Sequence, residues 1–378
     1  MKRRKIKKRR LKKGFKLIIF IVLLSTIGIF LYNNNLKSNN NKNENDNSIE
    51  VIDKKDTNIE NKDKKLSLIA VGDVLIHESV YKDAYVNGRY DFGKMFKRIK
   101  PIISKYDLKF CNQESTIGGT ALGISGYPSF NSPDEIGDEM VNLGFNLVSL
   151  ANNHAFDKGE NAILYSNSYW KTKDVITSGS YSSSDEANDI KVYEKNGIKY
   201  AFLSYTTSSN RKVTKDYLVN MYSAEKARMD IEKVKDKVDL IIVSMHWGIE
   251  YSHDVSESQK QIAEYLSSLG VNLIIGHHPH VVQPVTYVGN TLVIYSLGNF
   301  ISNQLSINLD RGIGLMVGVD IIVNEDGVSF KNLYKELILA YALNSTNFEV
   351  IPFSQLNNNL LNNYESVNEK YMKYVNGE

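Results

Sequence analysis

Short apolar runs rich in β-branched residues recur along the chain after residue 65, and helix-like segments separate them. Each run is five to seven residues long, which is the length of a strand rather than of a helix. Strands that alternate with helices are typical of layered α/β folds, in which helices cover the faces of a sheet. We therefore predict strands at residues 66–72, 108–112, 147–151, 200–206, 240–245, 272–276 and 291–297.

Three segments between these runs begin with a serine, a residue type that commonly caps a helix. These serines are Ser132, Ser223 and Ser256. The first precedes Pro133, which suits the first helical position, and Glu135, which completes the pattern of a capping box. Each segment is therefore predicted to be a helix that starts at its serine.

The N-terminus combines a basic cluster with an apolar segment. Residues 1–16 carry eleven Lys or Arg residues and no acidic residue. Residues 17–32 are uncharged and apolar, and a bilayer-spanning helix needs roughly 17 to 25 such residues. Because a positive flank normally stays in the cytoplasm, we interpret residues 1–16 as a cytoplasmic tail and residues 17–32 as a transmembrane signal anchor in the cell membrane. A cleavable signal peptide is the alternative, although no A-x-A-like cleavage site follows.

The rest of the chain is predicted to lie outside the cell and to consist of three parts. Residues 33–65 are rich in Asn, Lys and Asp and poor in apolar residues, which predicts a disordered linker. Residues 66–304 form the main domain. Residues 305–378 are expected to complete that domain with strands and a helix, because residues 312–323 are a further strand-like run.

The positive net charge comes from the N-terminus alone. The whole chain has a formal charge of +3, so the residues after the first sixteen carry about −8. This balance argues against nucleic acid as a partner, and it does not favour nonspecific binding of a polyanion. Cys111 is the only cysteine, so an internal disulfide is excluded.

Polar side chains that bind metals or protons follow five of the predicted strands. In a mostly parallel sheet, the loops that leave the carboxyl ends of the strands meet at one edge. All seven histidines lie at or beside such a loop, and the stretch GHHPH alone contains three of them. We therefore expect one site at that edge, formed by Asp73, Asn112, Glu114, Asn152, Asn153, His154, His246, His277, His278 and His280, with His77 and His253 beside it.

A metal centre is the interpretation that the chemistry of these residues favours. Burying several carboxylates and imidazoles together without a cation would cost on the order of several kcal/mol. Oxygen and nitrogen ligands without a thiolate suit two divalent ions of Mn, Fe, Zn or Mg, and argue against a structural zinc site. Two ions that share a carboxylate would activate a water and stabilise an in-line displacement at phosphorus. His154 would act as general acid with Asp157 orienting its ring, unless Asp157 is only a turn residue.

Six motifs of the chain, in order, resemble those of the CapA capsule-synthesis family. They are AVGDV, CNQES, SLANNHAFDKG, MHWGIEY, GHHPHVVQP and YSLGNF. Proteins of this family are associated with poly-γ-glutamate, and their domain resembles the calcineurin-like metallophosphoesterases. The resemblance covers about residues 66–304 and implies a four-layer αββα sandwich with a metallophosphoesterase-like site. It also implies capsule-synthesis membrane proteins and an anionic envelope polymer as partners.

The same resemblance implies a role for individual residues. Asp73 would stand for the aspartate of the first phosphoesterase motif and Glu114 for the bridging acid. The implied metal ligands are Asp73, Glu114, Asn153, His246, His278 and His280. The implied catalytic residues are His154 and Asp157, and the further candidates at the same rim are His77, Asn112, His277 and Asn299.

Departures from the phosphoesterase pattern leave parts of this assignment open. No histidine stands two residues after Asp73, so one ligand of the first metal is missing unless His77 reaches it. The bridging position holds Glu114 instead of an aspartate. GHHPH contains one residue more than Gly-His-x-His, which leaves the role of His277 undefined.

These observations are compatible with three functions. The first is an accessory protein for the synthesis or export of poly-γ-glutamate or a related capsule polymer. The second is an extracellular metallophosphoesterase that acts on an envelope phosphodiester. The third is a non-catalytic polymer-binding scaffold in which the metal ligands serve stability. An amidase acting on the γ-linked polymer lies between the first two.

Overall fold

Two mixed β-sheets form the centre of the structure, a computed structural model that describes residues 63–378. The predicted α/β class is confirmed, because helices and strands alternate along the described chain. Within residues 63–378, no helix is both long and apolar enough to cross a bilayer. The predicted cytoplasmic tail, the transmembrane anchor and nearly all of the linker lie outside the described residues.

The strands are β1 (Lys64–Val74), β2 (Tyr85–Val86), β3 (Arg89–Tyr90), β4 (Leu108–Asn112), β5 (Leu147–Ser149), β6 (Ile176–Ser178), β7 (Tyr193–Lys195), β8 (Ile198–Thr206), β9 (Leu240–His246), β10 (Leu273–His277), β11 (Val285–Val288), β12 (Thr291–Ile294), β13 (Asn299–Ile301), β14 (Ile313–Asn324), β15 (Gly327–Leu343) and β16 (Thr346–Pro352). The α-helices are α1 (Glu78–Ala84), α2 (Lys100–Ile103), α3 (Asp134–Leu143), α4 (Gly159–Lys171), α5 (Ser184–Asn188), α6 (Ala224–Glu232), α7 (Glu257–Ser268) and α8 (Tyr364–Asn376). Short 3₁₀ helices lie at Gly93–Phe96, Thr120–Leu122, Gln304–Ser306, Asp310–Gly312 and Phe353–Gln355.

The parallel strands of both sheets direct their carboxyl ends toward the same side. The first sheet has the order β16-β15-β14-β1-β4-β5-β6, and β13 pairs with the end of β1. Within it, β1, β4, β5 and β6 are parallel. The second sheet has the order β11-β12-β10-β9-β8-β7, with β12, β10, β9 and β8 parallel. The loops that follow these strands therefore carry the residues expected to form the site.

Apolar side chains on both faces of each sheet hold the layers together. Along β1, Leu66 and Leu68 belong to the core between the two sheets, whereas Ile69 and Val71 belong to the core beneath helices α1, α3 and α4. The outer face of the second sheet packs against α6 and α7. Strands buried on two faces need continuous apolar runs, which explains why these strands could be recognised in the sequence.

Most sequence-based boundaries differ little from the observed ones, but two require correction. Lys64 and Lys65 were assigned to the linker, yet they form the first residues of β1 because they pair with β14. Ser132 was expected to cap a helix, but α3 begins at Asp134 after Pro133. The N-cap position is taken by Pro133, which has no side-chain cap, and the Ser132 hydroxyl donates to Ser115 Oγ (2.8 Å). The serines before α6 and α7 do cap their helices, and the second forms a full capping box.

The close approach of β1 to the loop before β13 yields a prediction about stability. A Cβ atom at Gly72 would lie 1.8 Å from the carbonyl oxygen of Gly298, which is backbone and cannot rotate away. We expect Gly72→Ala to lower the free energy of unfolding by about 3 kcal/mol, as overpacking commonly does. Urea denaturation followed by circular dichroism measures the change.

The matched control is Gly93→Ala, because a Cβ atom there would lie 3.2 Å from the nearest heavy atom, which belongs to the side chain of Asp91. Equal unfolding free energies for the two variants would show that β1 and Gly298 are not packed as described.

Candidate metal centre

The carboxyl ends of strands from both sheets bring the candidate ligands together. In the first sheet, Asp73 near the end of β1 lies opposite Asn112 of β4 and Asn299 of β13. In the second sheet, His246 at the end of β9 lies opposite His277 at the end of β10. The two sets meet across the sandwich, where His277 Nδ1 lies 3.9 Å from Asp73 Oδ1.

Three overlapping groups of these buried side chains could hold a metal ion. The ligand atoms in each group lie within 4.8 Å of one another. Glu114, Asp73 and His246 each belong to two of the groups, and Glu114 is shared by the group that contains His280 and the group that contains His278. The groups are Asp73, Glu114 and His280; Glu114, His246 and His278; and Asp73, His246 and His277.

Unpaired polar atoms within these groups test whether a cation fits. Both carboxylate oxygens of Glu114 and the Nδ1 atom of His278 are buried and have no hydrogen-bond partner among residues 63–378. Buried polar atoms in folded proteins almost always have a partner. Oxygen and imidazole donors that converge without one are the ligands that divalent transition metals bind. The residues present therefore fit a divalent metal ion.

The electrostatics of the two carboxyl groups also favour a cation. Burial, and then the charge of Asp73, raise the pKa of Glu114 well above its usual value. Burial disfavours the charged form of His280, but Glu114 and Asp73 outweigh it and raise the pKa of His280 to about 9. Burial disfavours ionisation of Asp73, yet the hydrogen bond to His280 and the charge of His280 outweigh it and lower the pKa of Asp73. Without a metal, the site thus balances its negative charge with protons.

His277, whose role the sequence left undefined, contacts His246. Its Nε2 atom lies 2.7 Å from Ser244 Oγ, and its Nδ1 atom lies 2.7 Å from His246 Nδ1. The other nitrogen of His246 consequently faces Asn153 Oδ1 (3.0 Å) and Glu114 Oε1 (3.7 Å). Although His277 is also near Asp73, both of its ring nitrogens already have partners. We therefore interpret His277 as a residue that orients His246, as partners of metal-bound histidines commonly do.

Two asparagines orient the remaining ligands. Asn112 Nδ2 donates to Asp73 Oδ1 at 2.7 Å. Asn299 Oδ1 lies 3.0 Å from His280 Nδ1, and that nitrogen is also 3.2 Å from Asp73 Oδ2. Asn112 and Asn299 thus contact the ligands Asp73 and His280.

The backbone of the loop after β10 is strained at two of its histidines. His278 has a φ angle of 104° and His280 a φ angle of 59°. Non-glycine residues seldom adopt such angles, and each costs on the order of 1–3 kcal/mol. Strain of this kind is typical of functional sites, where packing fixes side chains in a required geometry.

His154 and Asp157 form a pair beside the metal-binding groups. His154 Nδ1 lies 2.7 Å from Asp157 Oδ2, and that oxygen also accepts a hydrogen bond from the backbone of Phe130 (2.8 Å). The side-chain Nδ2 atom of Asn210 lies 3.2 Å from His154 Nδ1 and 3.4 Å from His154 Nε2. A cleft of about 810 Å³ is lined by His154, Asp157 and His280, among other residues. Asp157 is therefore placed to orient the imidazole, as expected of a carboxylate beside a catalytic histidine.

Three other predicted residues lie away from the metal-binding groups. His77 is in none of them; it lines the cleft, and its Nδ1 atom lies 3.2 Å from the carbonyl oxygen of Leu75. Asn152 accepts a hydrogen bond from the backbone of His154 and donates one to the backbone of Gln113. His253 stacks on Tyr374 of α8, with ring centroids 4.0 Å apart.

Several cleft residues were not identified from the sequence. They are Tyr127, Phe130, Asn210, Arg211, Glu250, Tyr251 and Arg311. Glu250 and Tyr251 are the last two residues of the motif MHWGIEY, which offered a signal, whereas the other five lie outside the six motifs.

The fold and the site define a class: a two-sheet α/β protein with a buried cluster of carboxylates and imidazoles, at the carboxyl ends of its strands, that could hold a divalent metal. The chain matches the family model of the bacterial capsule synthesis protein PGA_cap over residues 67–304. It therefore belongs to that family. This confirms the resemblance seen in the sequence motifs.

Proteins similar to this chain include two capsule proteins. The chain is 28% identical over 248 residues to the PGA biosynthesis protein CapA of Bacillus subtilis, which covers 64% of each protein. It is 26% identical over 254 residues to the capsule biosynthesis protein CapA of Bacillus anthracis, covering 64% of this chain and 61% of that protein. The chain thus spans less than two thirds of these relatives.

Among solved structures, similar ones include the calcineurin-like phosphoesterase YfkN from Bacillus subtilis. It is 14% identical, with a TM-score of 0.46, and the match covers 83% of this chain and 99% of that chain. A novel phosphatase from Mycoplasma pneumoniae is 16% identical, with a TM-score of 0.47, and the match covers 73% of this chain and 95% of that chain.

The protonation of the site predicts how metal binding depends on pH. His280, with a pKa of about 9, carries a proton at pH 7 that it must lose to bind a metal, and Glu114 is also shifted toward its protonated form. We therefore expect metal binding at pH 7 to release about one proton or more, and the apparent affinity to rise with pH up to about 9.

Isothermal titration calorimetry with Mn²⁺ or Zn²⁺, in buffers of different ionisation enthalpy, counts the protons released. Identical enthalpies in all buffers would contradict the charge balance described here.

Proposed function

We propose that this protein acts in the synthesis or export of an anionic capsule polymer such as poly-γ-glutamate. It does so as a single-pass membrane protein, anchored by residues 17–32, with its domain outside the cell and with capsule-synthesis membrane proteins as partners. Family membership and the names of its relatives support the polymer class. The observation that carries the proposal is that motifs resembling those of the family supply the side chains that meet around Glu114.

We further propose that the site holds two divalent metal ions in a metallophosphoesterase-type αββα sandwich. The first ion would be held by Asp73, Glu114 and His280, and the second by Glu114, His246 and His278 together with Asn153. Glu114 would bridge the two, which accounts for both of its unpaired oxygens. Divalent ions bound in this way supply Lewis-acid stabilisation of developing negative charge.

The His154–Asp157 pair favours a hydrolase over a purely binding scaffold. His154 borders the cleft beside His280 and would donate a proton to the leaving group of a phosphodiester or a γ-linked amide. Asp157 orients the ring through the contact at Nδ1. A scaffold whose ligands serve only stability has no need of an oriented imidazole in an open cleft.

Replacing the carboxylate of Glu114 tests whether the role of the protein in polymer synthesis depends on the proposed metal site. In a strain lacking the gene, we expect the wild-type chain to restore the amount and length of the envelope polymer, and Glu114→Gln not to restore them. Purified wild-type protein should contain about two transition-metal ions per chain by elemental mass spectrometry, and Glu114→Gln fewer.

A polymer that is unchanged by deletion of the gene would refute the capsule role. Full restoration by Glu114→Gln would refute the role of the metal site, provided that membrane fractions contain equal amounts of both proteins.

Replacing the imidazole should test catalysis directly. We expect His154→Ala to keep its metal ions but to lose about 10²–10⁴-fold in turnover of phosphodiesters or γ-glutamyl amides, because a general acid contributes about that much. Asp157→Asn should lose less, since the imidazole remains. The matched control is His77→Ala, which removes an imidazole that lines the same cleft but lies outside the metal-binding groups. Unchanged turnover in His154→Ala would exclude His154 as the general acid, and a metal-loaded wild-type protein without turnover would leave only the accessory or scaffold role.

A further inference from the structure

The cleft beside the metal centre contains two guanidinium groups that lack a carboxylate partner. Arg211 and Arg311 both line this cleft of about 810 Å³. Within residues 63–378, neither arginine forms an ion pair. Arg211 donates one hydrogen bond through Nη1, to the backbone oxygen of Asp157 (2.6 Å). The side chain of Arg311 donates none to the described residues, and its Nε atom is buried without a partner.

The position of Arg311 is fixed at the His280 end of the cleft. Its guanidinium carbon lies 3.4 Å from the ring centroid of Tyr251, and that ring stacks with His280 at 6.0 Å between centroids. The backbone oxygen of Arg311 accepts a hydrogen bond from Asn299 Nδ2 (2.8 Å). A guanidinium that stacks on an aromatic face keeps the N–H groups of its edge free for a carboxylate or phosphate.

Arg211 lies at the His154 end and connects the cleft with a second groove. Its contact with Asp157 places it beside the His154–Asp157 pair. The second groove, of about 520 Å³, is lined by Arg211, Lys212 and Lys226, with Asp216 as the one acidic residue in its lining. Within residues 63–378, Lys212 forms no ion pair, whereas Lys226 contacts Asp230 at 3.2 Å. Positive charge therefore continues from the cleft into this groove.

Arginines elsewhere in the described chain show what a structural guanidinium looks like. Arg98 pairs with Glu349 at 2.8 Å, and Arg228 contacts Glu225 and Glu232 at 2.8 and 2.9 Å. Arg89, which is exposed in the β2–β3 hairpin, forms no ion pair with the described residues. Among the described residues, neither cleft arginine has a carboxylate partner like those of Arg98 and Arg228. Arg211 is exposed, whereas the Nε atom of Arg311 is buried, and a buried donor without a partner is costly. The buried unpaired donor of Arg311, together with the free donors of Arg211 in the same cleft, points to an anionic ligand as their partner.

We propose that Arg311 and Arg211 bind two separate anionic groups of one substrate chain, which then lies across the cleft past the metal centre, with its next charged unit in the groove at Lys212. The inference rests on the proposed function and names its substrate class: a linear polyanion with carboxylate or phosphate groups on neighbouring repeats. Glu250, which lines the same cleft, opposes this binding by repulsion and limits the affinity.

Fluorescence anisotropy with the full-length, metal-loaded protein tests this proposal. The probes are a labelled γ-linked glutamate oligomer, a labelled short polyphosphate and, as neutral reference, a γ-linked glutamine oligomer. We expect Arg211→Gln and Arg311→Gln each to weaken binding of a polyanion by about tenfold or more, which is the usual effect of losing a charge-assisted hydrogen bond. Arg→Lys at either position should fall between, and Glu250→Gln should tighten binding.

The matched control is Arg89→Gln, because Arg89 is exposed in the β2–β3 hairpin and does not line the cleft. Metal content, measured for every variant, shows whether the centre is intact. Binding of the glutamate oligomer alone identifies carboxylate as the ligand group, and binding of polyphosphate alone identifies phosphate. Either result supports the proposal if binding requires both Arg211 and Arg311.

Two results would overturn the inference. One is wild-type affinity in both Gln variants, or an equal loss in Arg89→Gln. The other is a metal-loaded wild-type protein that binds no polyanion, or that binds the neutral oligomer equally well. In each case, the proposed function is tested independently, by asking whether the wild-type chain restores the polymer in a strain that lacks the gene.

Discussion

The burial of two carboxyl groups side by side is the constraint on which the site depends. Asp73 and Glu114 are completely excluded from solvent, and Glu114 has no hydrogen-bond partner among the described residues. Two like charges cannot both persist in such an environment without a compensating cation, because desolvation and mutual repulsion raise one or both pKa values. Of the four histidines around them, His280 supplies one positive charge, because the two carboxyl groups raise its pKa to about 9, whereas burial lowers the pKa of His277 and His278 to about 4. A divalent metal resolves the conflict with the ligands already in place.

The fold meets this constraint by using strand ends as rigid supports. Asp73, His246 and His277 lie at the ends of strands whose two faces are packed, so their positions follow from the sheet register. The ligands that lie outside strands need other supports. His278 and His280 have left-handed backbone angles, which cost stability, and Asn299 contacts His280. Stability given up in this loop is offset by the cores on either side of the sheets.

Much of this arrangement could be predicted from the sequence, for a physical reason. Strands buried on both faces leave continuous apolar runs, and a polar residue at the end of such a run is conspicuous, as with Asp73 and His246. The positioning role of His277 could not be predicted, because it depends on a contact across two strands to a side chain 31 positions away. Arg211 and Arg311 come from loops without a periodic pattern. Short edge strands such as β7 were missed because two of its three residues are charged.

The departure of the chain from the phosphoesterase pattern also bears on how the proposed site would work. Since no histidine follows two residues after Asp73, the group of Asp73, Glu114 and His280 contains a single imidazole, whereas the group of Glu114, His246 and His278 contains two and has Asn153 beside it. A metal ion in the first group would therefore keep more coordination positions free of protein ligands. His280 is also the member of the three groups that borders the cleft, next to Tyr251 and the guanidinium of Arg311. The side of the centre with fewer protein ligands is thus the side that faces the unpaired arginine, which is the arrangement that an anionic substrate requires.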